Sequence, residues 1–484
     1  MALVAPSPAF LRALAERLGP RGVATDPDLL APWLTDWRGR FTGAAAALVS
    51  PATAQEVAFV VARAAADGVA IVPQGGNSSM VAGATPPPDG GALLLSLRRM
   101  NAIRRVSAAD NMLEAEAGAI LADVHAAAAA EGRRFPLSLA AKGSATVGGL
   151  CSTNAGGTQV LRFGTMRALV LGIEAVLPDG QVFDGLSALR KDNRGYDLRQ
   201  LLVGAEGTLG VITAASLRLV AAAAQRAVAW VGLASPDEAL VLLRRLESAT
   251  GEAVESFELV PADGLDLVLR HIPATRAPLS GRHAWNVLVE ATAPAGAPAP
   301  EEALARGIGA AMEEGLAQDA TIAASEAQAD ALWRLRESMS EAERIDGMSA
   351  KHDVAVPVSA MPGFMAAARA AVEARFAGAR VLAFGHLGDG NVHFNVRAPE
   401  GADDRAWFRE QGGAVTAFVH DLTAAAGGSI SAEHGIGQSK RADFARLADP
   451  ARLSAMRAIK AALDPRGIMN PGKLLPLASD GAGQ

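Results

Sequence analysis

Residues 385–395 read G-H-L-G-D-G-N-V-H-F-N. The stretch sets His386 and His393 around a Gly-Asp-Gly-Asn turn, between apolar, strand-like flanks at 381–384 and 394–396. With 388–391 as a four-residue hairpin loop, Leu387 pairs with Val392 and His386 with His393. Opposed residues share a face with Cβ atoms roughly 4.5–5.5 Å apart, so two imidazoles could share one metal ion. Asn395, two residues past His393, faces the same way. Glu433-His434, in S-A-E-H-G-I-G, offers a carboxylate ligand and a base. A purely structural histidine pair fits the hairpin equally well, and the segments upstream decide between the two.

The chain is 484 residues long, enough for two or three domains, and its 50% hydrophobic content is inflated by alanine. No run of 18 uncharged apolar residues is present; the most apolar candidate, 219–234, is broken by Gln225 and Arg226. A net charge of −6, no basic block and 4% aromatics argue against nucleic acid as a partner. The N-terminus lacks a basic region followed by an apolar core, which gives no sign of a secretory signal. Cys151 is the single cysteine, so one chain can build neither a disulfide framework nor an iron–sulfur cluster. A cytoplasmic location fits, and electrons must leave by another route.

In order, the chain begins with a helix over 8–18 and a tryptophan-bearing segment in which Trp33, Asp36 and Trp37 are read as packing. Helical periodicity over 51–68 ends at Gly68, and a strand over 69–72 follows. Residues 73–83, P-Q-G-G-N-S-S-M-V-A-G, are a glycine-rich loop whose N–H groups can form a nest for a diphosphate. The loop matches neither a Walker A sequence nor G-x-G-x-x-G. Short strands are expected at 93–97, 103–106 and 112–117, and a helix at 121–131. Residues 143–157, G-S-A-T-V-G-G-L-C-S-T-N-A-G-G, hold five glycines in fifteen positions, as expected of chain lying flat on a long ligand. A hairpin is expected over 170–184 across Pro178-Asp179-Gly180. Residues 201–213, L-L-V-G-A-E-G-T-L-G-V-I-T, run a third glycine-rich element into a strand. Together the three point to a large phosphate-containing cofactor. From about 219 the character changes to strands (227–233, 286–290, 381–385) alternating with alanine-rich helices (236–248, 302–315). The run 291–300 is read as a surface linker.

Six motifs together resemble the FAD-linked oxidase superfamily of p-cresol methylhydroxylase and vanillyl-alcohol oxidase, and within it the D-2-hydroxyacid dehydrogenases. They are P-Q-G-G-N at 73–77, F-P-L-S-L-A-A-K-G-S at 135–144, R-K-D-N-R-G-Y-D-L at 190–198, the histidine hairpin at 385–393, S-A-E-H-G-I-G at 431–437, and N-P-G-K at 470–473. The likeness covers about 51–473. It implies an α+β protein: an N-terminal helical segment (1–42), a two-subdomain FAD-binding domain (43–222), an α+β cap domain for substrate (223–430) and a C-terminal segment (431–484) closing the active and FAD sites. Pro73, Gly75, Gly76, Asn77, Ser78, Ser79 and Gly83 would cradle the diphosphate. Pro136, Leu139, Gly143, Ser144, Val147, Gly148, Gly149, Asn154, Gly156 and Gly157 would line flavin and adenosine. Glu206, Gly207, Gly210 and Ile212 would hold the adenine side, and Asn470 would close over the isoalloxazine. Ser78-Ser79 stands where relatives often carry Thr-Gly. No His or Cys in these loops is placed to tether flavin, so FAD is expected to be non-covalent.

The same resemblance makes His386, His393 and Glu433 ligands of a divalent metal, zinc or manganese, and His434 the general base. Arg336, Ser340 and Lys351 match positions that bind substrate carboxylate, Ser340 replacing a frequent threonine, and Asn395 adds a polar contact. The expected reaction oxidises a D-2-hydroxy acid, D-2-hydroxyglutarate ahead of D-lactate, with hydride passing to flavin N5. Reduced FAD would pass electrons to an electron-transfer flavoprotein or a quinone, and a homodimer is possible. The rival readings are a metal-dependent hydrolase on the His-His-Glu set and a glycolate-oxidase-like flavoprotein subunit.

Overall fold

The computed structural model describes residues 3–476; the start of the N-terminal segment (1–2) and the end of the C-terminal segment (477–484) lie outside it. The chain forms two compact units, Met1–Gly156, Thr165–Ala221 and Glu433–Gln484 in one, Gly157–Gly164 and Ala222–Ala432 in the other. Both mix helix and sheet, as the α+β reading expects. No described helix is long and apolar enough to cross a membrane.

In the first unit, the helix Pro8–Leu18 starts where the Ser7 hydroxyl accepts the Phe10 N–H, and it buries Phe10, Leu14 and Leu18. Thr53 caps Ala54–Asp67 in the same way, and Gly68 ends that helix at φ +74°. Its buried stripe, Val57, Val60, Val61 and Ala64, packs on a four-stranded sheet ordered Val23–Ala24, Ala47–Val49, Leu93–Ser96, Ile71–Gln74. Ile71–Gln74 runs parallel to Leu93–Ser96 and delivers the chain into the loop at 75–83. The tail returns to this edge: the Ile71 N–H reaches the Ile468 carbonyl and the Asn470 N–H reaches the Ile71 carbonyl (2.8 and 2.7 Å). A second sheet, antiparallel throughout, is ordered Ile103–Ser107, Met112–Glu116, Val211–Arg218, Val170–Val176, Val182–Gly185. The hairpin across Asp179-Gly180 forms as expected, with Gly180 at φ +89°.

One expectation fails here. Residues 143–157 do not lie flat: Val147–Thr153 is a helix. Gly148 serves helix-to-strand packing, since a Cβ there would sit 2.7 Å from the Ala117 Cβ.

The second unit is built on a seven-stranded antiparallel sheet, ordered Asp319–Ile322, Gln225–Leu233, Trp285–Ala293, Val254–Pro261, Arg380–His386, Asn391–Arg397, Ser349–Ala355. Helices cover both faces, so its strands read as continuous apolar runs rather than alternating ones. Ala229, Val231 and Leu233 enter one core with the helices Pro236–Thr250, Pro300–Glu313 and Met361–Arg375; Val228 and Trp230 enter the other with Ala262–His271, Glu326–Glu337 and Met339–Asp346. The linker read at 291–300 is shorter than expected. Ala291, Thr292 and Ala293 are buried in the strand Trp285–Ala293, paired with Ala227, Arg226 and Gln225, and Pro300 opens the next helix at its first position.

Candidate active site

In the first unit the glycine loop closes on the second glycine-rich segment. A Cβ at Gly75 would lie 2.2 Å from Thr146 Oγ1, and one at Gly76 would lie 2.0 Å from the Ser144 carbonyl oxygen. Only glycine permits that approach. Asn77 takes φ +53°, whereas Ser79 stays outside the left-handed region, so a serine is accommodated there. The Ser79 hydroxyl instead accepts the Gly83 N–H at 3.2 Å. Pro136 is buried and Leu139 half-buried in the loop before Lys142 and Ala145, whose carbonyls accept the N–H groups of Ala122 and Leu121. Val147, Gly148 and Gly149 lie in the short helix that Asn154 caps at φ +49°; Asn154 Oδ1 also accepts the Arg167 N–H at 2.9 Å. Gly156 ends this stretch and Gly157 falls in the other unit. Gly207 packs on Pro73, and Gly210 and Ile212 lead into the strand Val211–Arg218.

Asn470 and Glu206 tie the pieces together. Asn470 Nδ2 donates to the carbonyls of Gly83 (3.0 Å) and Glu206 (2.6 Å). The buried Glu206 carboxylate accepts the N–H groups of Ile436 and Gly437 at 2.8 and 2.7 Å. Burial pushes the Glu206 carboxyl up, against the pull of those N–H groups and of Lys440 and Lys473. Lys473, 3% exposed, is drawn down to about 8 by burial and by Arg441, with Glu206 opposing. Of five buried oxygens in this unit without a hydrogen-bond partner among the described residues, three, Gln74 Oε1, Thr146 Oγ1 and Asn470 Oδ1, lie at the glycine-rich segments and the tail that meets them. Such groups are costly unless a ligand satisfies them. A wall of glycine backbone with unpartnered hydroxyl and amide oxygens fits FAD. Cys151 is fully buried and its thiol is pushed up to about 12 by desolvation, which makes it a poor tether.

In the second unit, the hairpin register differs from the expected one. His386 opposes Asn391, Gly385 opposes Val392, and His393 opposes Phe384. The loop is 387–390, one residue earlier than read. The N–H groups of Asp389 and Gly390 both reach the His386 carbonyl, the Asp389 carboxylate accepts the Asn391 N–H, and Gly390 takes φ +80° against the Val356 carbonyl, where no side chain fits. The shift moves His393 by two places along its partner strand, so the period of two keeps both histidines on one face. They are diagonal neighbours with ring centroids 5.3 Å apart and planes at 78°.

That face carries a polar island inside an apolar layer. Glu258, fully buried and opposite His386, receives His386 Nδ1 at 2.7 Å on Oε1. Arg336 Nη2 lies 2.7 Å from Glu258 Oε2, an ion pair by distance whose N–H is not aligned for a hydrogen bond. Burial raises the Glu258 carboxyl, but His386 and Arg336 outweigh it and hold it below the ordinary range. Arg336 lies over Phe384, 5.0 Å from the ring centroid, and its buried Nε has no hydrogen-bond partner. Lys351 and Asn395 oppose each other and both reach buried Glu343 Oε2, at 3.2 and 2.8 Å. Ser340 is exposed on the first turn of Met339–Asp346.

The His386 Nδ1–H on a carboxylate directs its Nε2 lone pair elsewhere, the arrangement that orients a metal-binding imidazole. This donor set fits a divalent metal. The third expected ligand, Glu433, follows Ala432, whose N–H reaches the carbonyl of Asp353, the residue opposite His393. Glu433 and His434 are half-buried and open the last part of the first unit.

Glu258 and Glu343 were missed in the sequence. The available signal is a carboxylate inside a run that otherwise reads as buried strand, V-E-S-F-E-L-V at 254–260.

Comparison with known proteins places the chain. A family profile described as "FAD binding domain" matches residues 45–185, and one described as "FAD linked oxidases, C-terminal domain" matches residues 222–474. The chain is 38% identical to mitochondrial D-2-hydroxyglutarate dehydrogenase of Bos taurus, over 96% of this chain and 83% of the relative. It is 37% identical to D-2-hydroxyglutarate dehydrogenase of Xanthomonas citri pv. viticola, over 93% of each. Among solved structures, substrate-bound p-cresol methylhydroxylase superposes with a TM-score of 0.75 at 16% identity, covering 96% of this chain and 95% of that one, which speaks to fold alone.

Proposed function

The chain belongs to the FAD-linked oxidase family, among the D-2-hydroxyglutarate dehydrogenases, and from that premise we propose that it oxidises a D-2-hydroxy acid to the 2-oxo acid, D-2-hydroxyglutarate ahead of D-lactate. One observation supports the reading of the site: two cations, Arg336 and Lys351, lie on the sheet face that carries the His386–His393 pair, and Arg336 keeps a buried Nε without a hydrogen-bond partner. A carboxylate satisfies such a donor.

Oxidising the substrate removes a proton from its hydroxyl and a hydrogen with two electrons from its α-carbon. FAD, when bound, supplies the two-electron acceptor. His386, His393 and Glu433 would hold a divalent metal, zinc or manganese, that acidifies the hydroxyl. His434 takes the hydroxyl proton. Arg336 and Lys351 bind carboxylate, and Asn395, held by Glu343, borders them. Fixing carboxylate and hydroxyl at separate side chains leaves one orientation for the α-hydrogen, so one enantiomer reacts. With a single cysteine and no cluster, electrons pass on to a separate protein or a quinone, and a reducing cytoplasm accords with this.

The test is His434→Ala. The variant should keep flavin and metal but lose kcat by about 10²–10⁴-fold with D-2-hydroxyglutarate and a dye acceptor. A wild-type rate, or equal turnover of L and D substrates, overturns the proposal.

A further inference from the structure

We infer that Glu206 is a positioning residue: its carboxylate fastens the loop that carries Glu433 and His434 to the glycine-rich wall of the first unit. The inference rests on the reading of His434 as the base. Glu206 stands 230 residues from the amides it binds, so the contact is tertiary and not a local cap. Its two oxygens take consecutive amides, Oε1 from Ile436 and Oε2 from Gly437, two and three residues after His434. A planar carboxylate bridging neighbouring N–H groups fixes both the distance and the rotation of that backbone.

Glu206 is itself held rigidly. Its backbone sits at φ +53°, its N–H reaches the Ser152 carbonyl at 2.8 Å, and its carbonyl accepts Asn470 Nδ2. Gly437 is the second half of the fastening. A Cβ there would overlap the Val81 carbonyl, and the Gln438 N–H donates to that oxygen at 3.1 Å. Residues 436–438 are thus pinned to residue 81 of the glycine loop and to residue 206 of the third glycine-rich element. The resemblance assigns Glu206 to the adenine side of FAD. With both oxygens committed to the loop, the side chain serves the base and the carboxylate ligand instead. Burying a carboxylate at 8% exposure costs stability, and paired backbone amides are what offset that cost.

Glutamine is the discriminating replacement, because its amide can accept from one N–H but must point a donor at the other. In flavin- and metal-loaded Glu206→Gln, turnover per bound flavin should fall by about tenfold to a hundredfold, the loss expected when a base is displaced by about 1 Å. KM should move less than kcat, and the pH profile of kcat should shift. The Ile436 and Gly437 amides should exchange hydrogen faster, and flavin content should stay at the wild-type level. Glu206→Asp, which keeps both acceptor oxygens, should recover part of the turnover. Full turnover per flavin in Glu206→Gln, or a loss explained by missing flavin alone, overturns the proposal. So does fast exchange of these amides in the wild-type protein, a measurement that needs no variant to fold. A wild-type rate in His434→Ala would remove the base reading separately, and amide exchange would still decide whether the clamp exists.

Discussion

Replacing Glu258 with glutamine removes one charge from the centre of the polar island while keeping its shape. The carboxylate is fully buried and serves two neighbours at 2.7 Å each, His386 Nδ1 and the Arg336 guanidinium at Nη2. An amide can turn its oxygen to one of them and must then aim its NH₂ at the other. If the oxygen faces Arg336, His386 loses the acceptor that sets its tautomer and ring plane. Loss of such an acceptor typically costs about 10–100-fold in metal affinity, or roughly 1.4–2.8 kcal/mol. The fold should also suffer, since removing one member of a buried charge pair costs up to about 3–5 kcal/mol, less here because glutamine is isosteric. Zinc affinity is read by competition with a chromogenic chelator, with flavin absorbance reporting the first unit separately. Glu258→Gln should bind zinc more weakly and keep its flavin. Wild-type zinc affinity in a folded variant would refute the idea that His386 is a ligand oriented by Glu258.

Three further outcomes are expected. Arg336→Ala should lower kcat/KM for D-2-hydroxy acids by roughly tenfold to a hundredfold, from a charge-assisted bond of about 1.5–3 kcal/mol; an unchanged value removes Arg336 from the site. Acid precipitation should release all the yellow colour into the supernatant, since Cys151 is buried with its thiol near 12, and flavin in the pellet would contradict this. Lys473 is held near 8 against an ordinary 10.5, so the folded chain binds its proton less tightly than the unfolded one; its charge costs stability below pH 8, and the cost fades between pH 8 and 10.5. Relative to Lys473→Met, the wild type should therefore gain up to about 3 kcal/mol across that window by denaturant titration, and a flat difference would show that Lys473 is partnered.

Local rules carried the reading far because the chemistry sits on punctuated stretches. Gly68, Asp179-Gly180 and the serine and threonine caps mark element ends by backbone physics that needs no tertiary knowledge. The two histidines could be put on one face because a strand has period two, and that held although the register itself was misread. The misreading has a plain cause. Either 387–390 or 388–391 makes a four-residue loop, and the choice turns on the Val356 carbonyl pressing on Gly390, a contact from just past the end of the strand Ser349–Ala355. The run 291–300 was misread for a similar reason: alanine and threonine look like linker until their partners, 225–227, are known.

The residues that tune the site were the least legible, and the reason is energetic. A buried carboxylate is a liability in isolation, so sequence logic assigns Glu258 and Glu343 to solvent, while the resemblance reads Glu206 as a cofactor contact. Each is buried with partners from other elements: His386 and Arg336 for Glu258, Lys351 and Asn395 for Glu343, Ile436 and Gly437 for Glu206. Removing a partner leaves an uncompensated charge, so each carboxylate and its partners must be retained together or replaced together. The three glutamates act on different parts of the proposed chemistry: Glu258 on a metal-ligand histidine, Glu343 on a substrate-side lysine and amide, Glu206 on the loop of the base. None of them needs to touch the substrate. Neutralising any one while sparing the histidines and Arg336 should then lower activity without changing which enantiomer reacts, because the groups that fix carboxylate and hydroxyl remain.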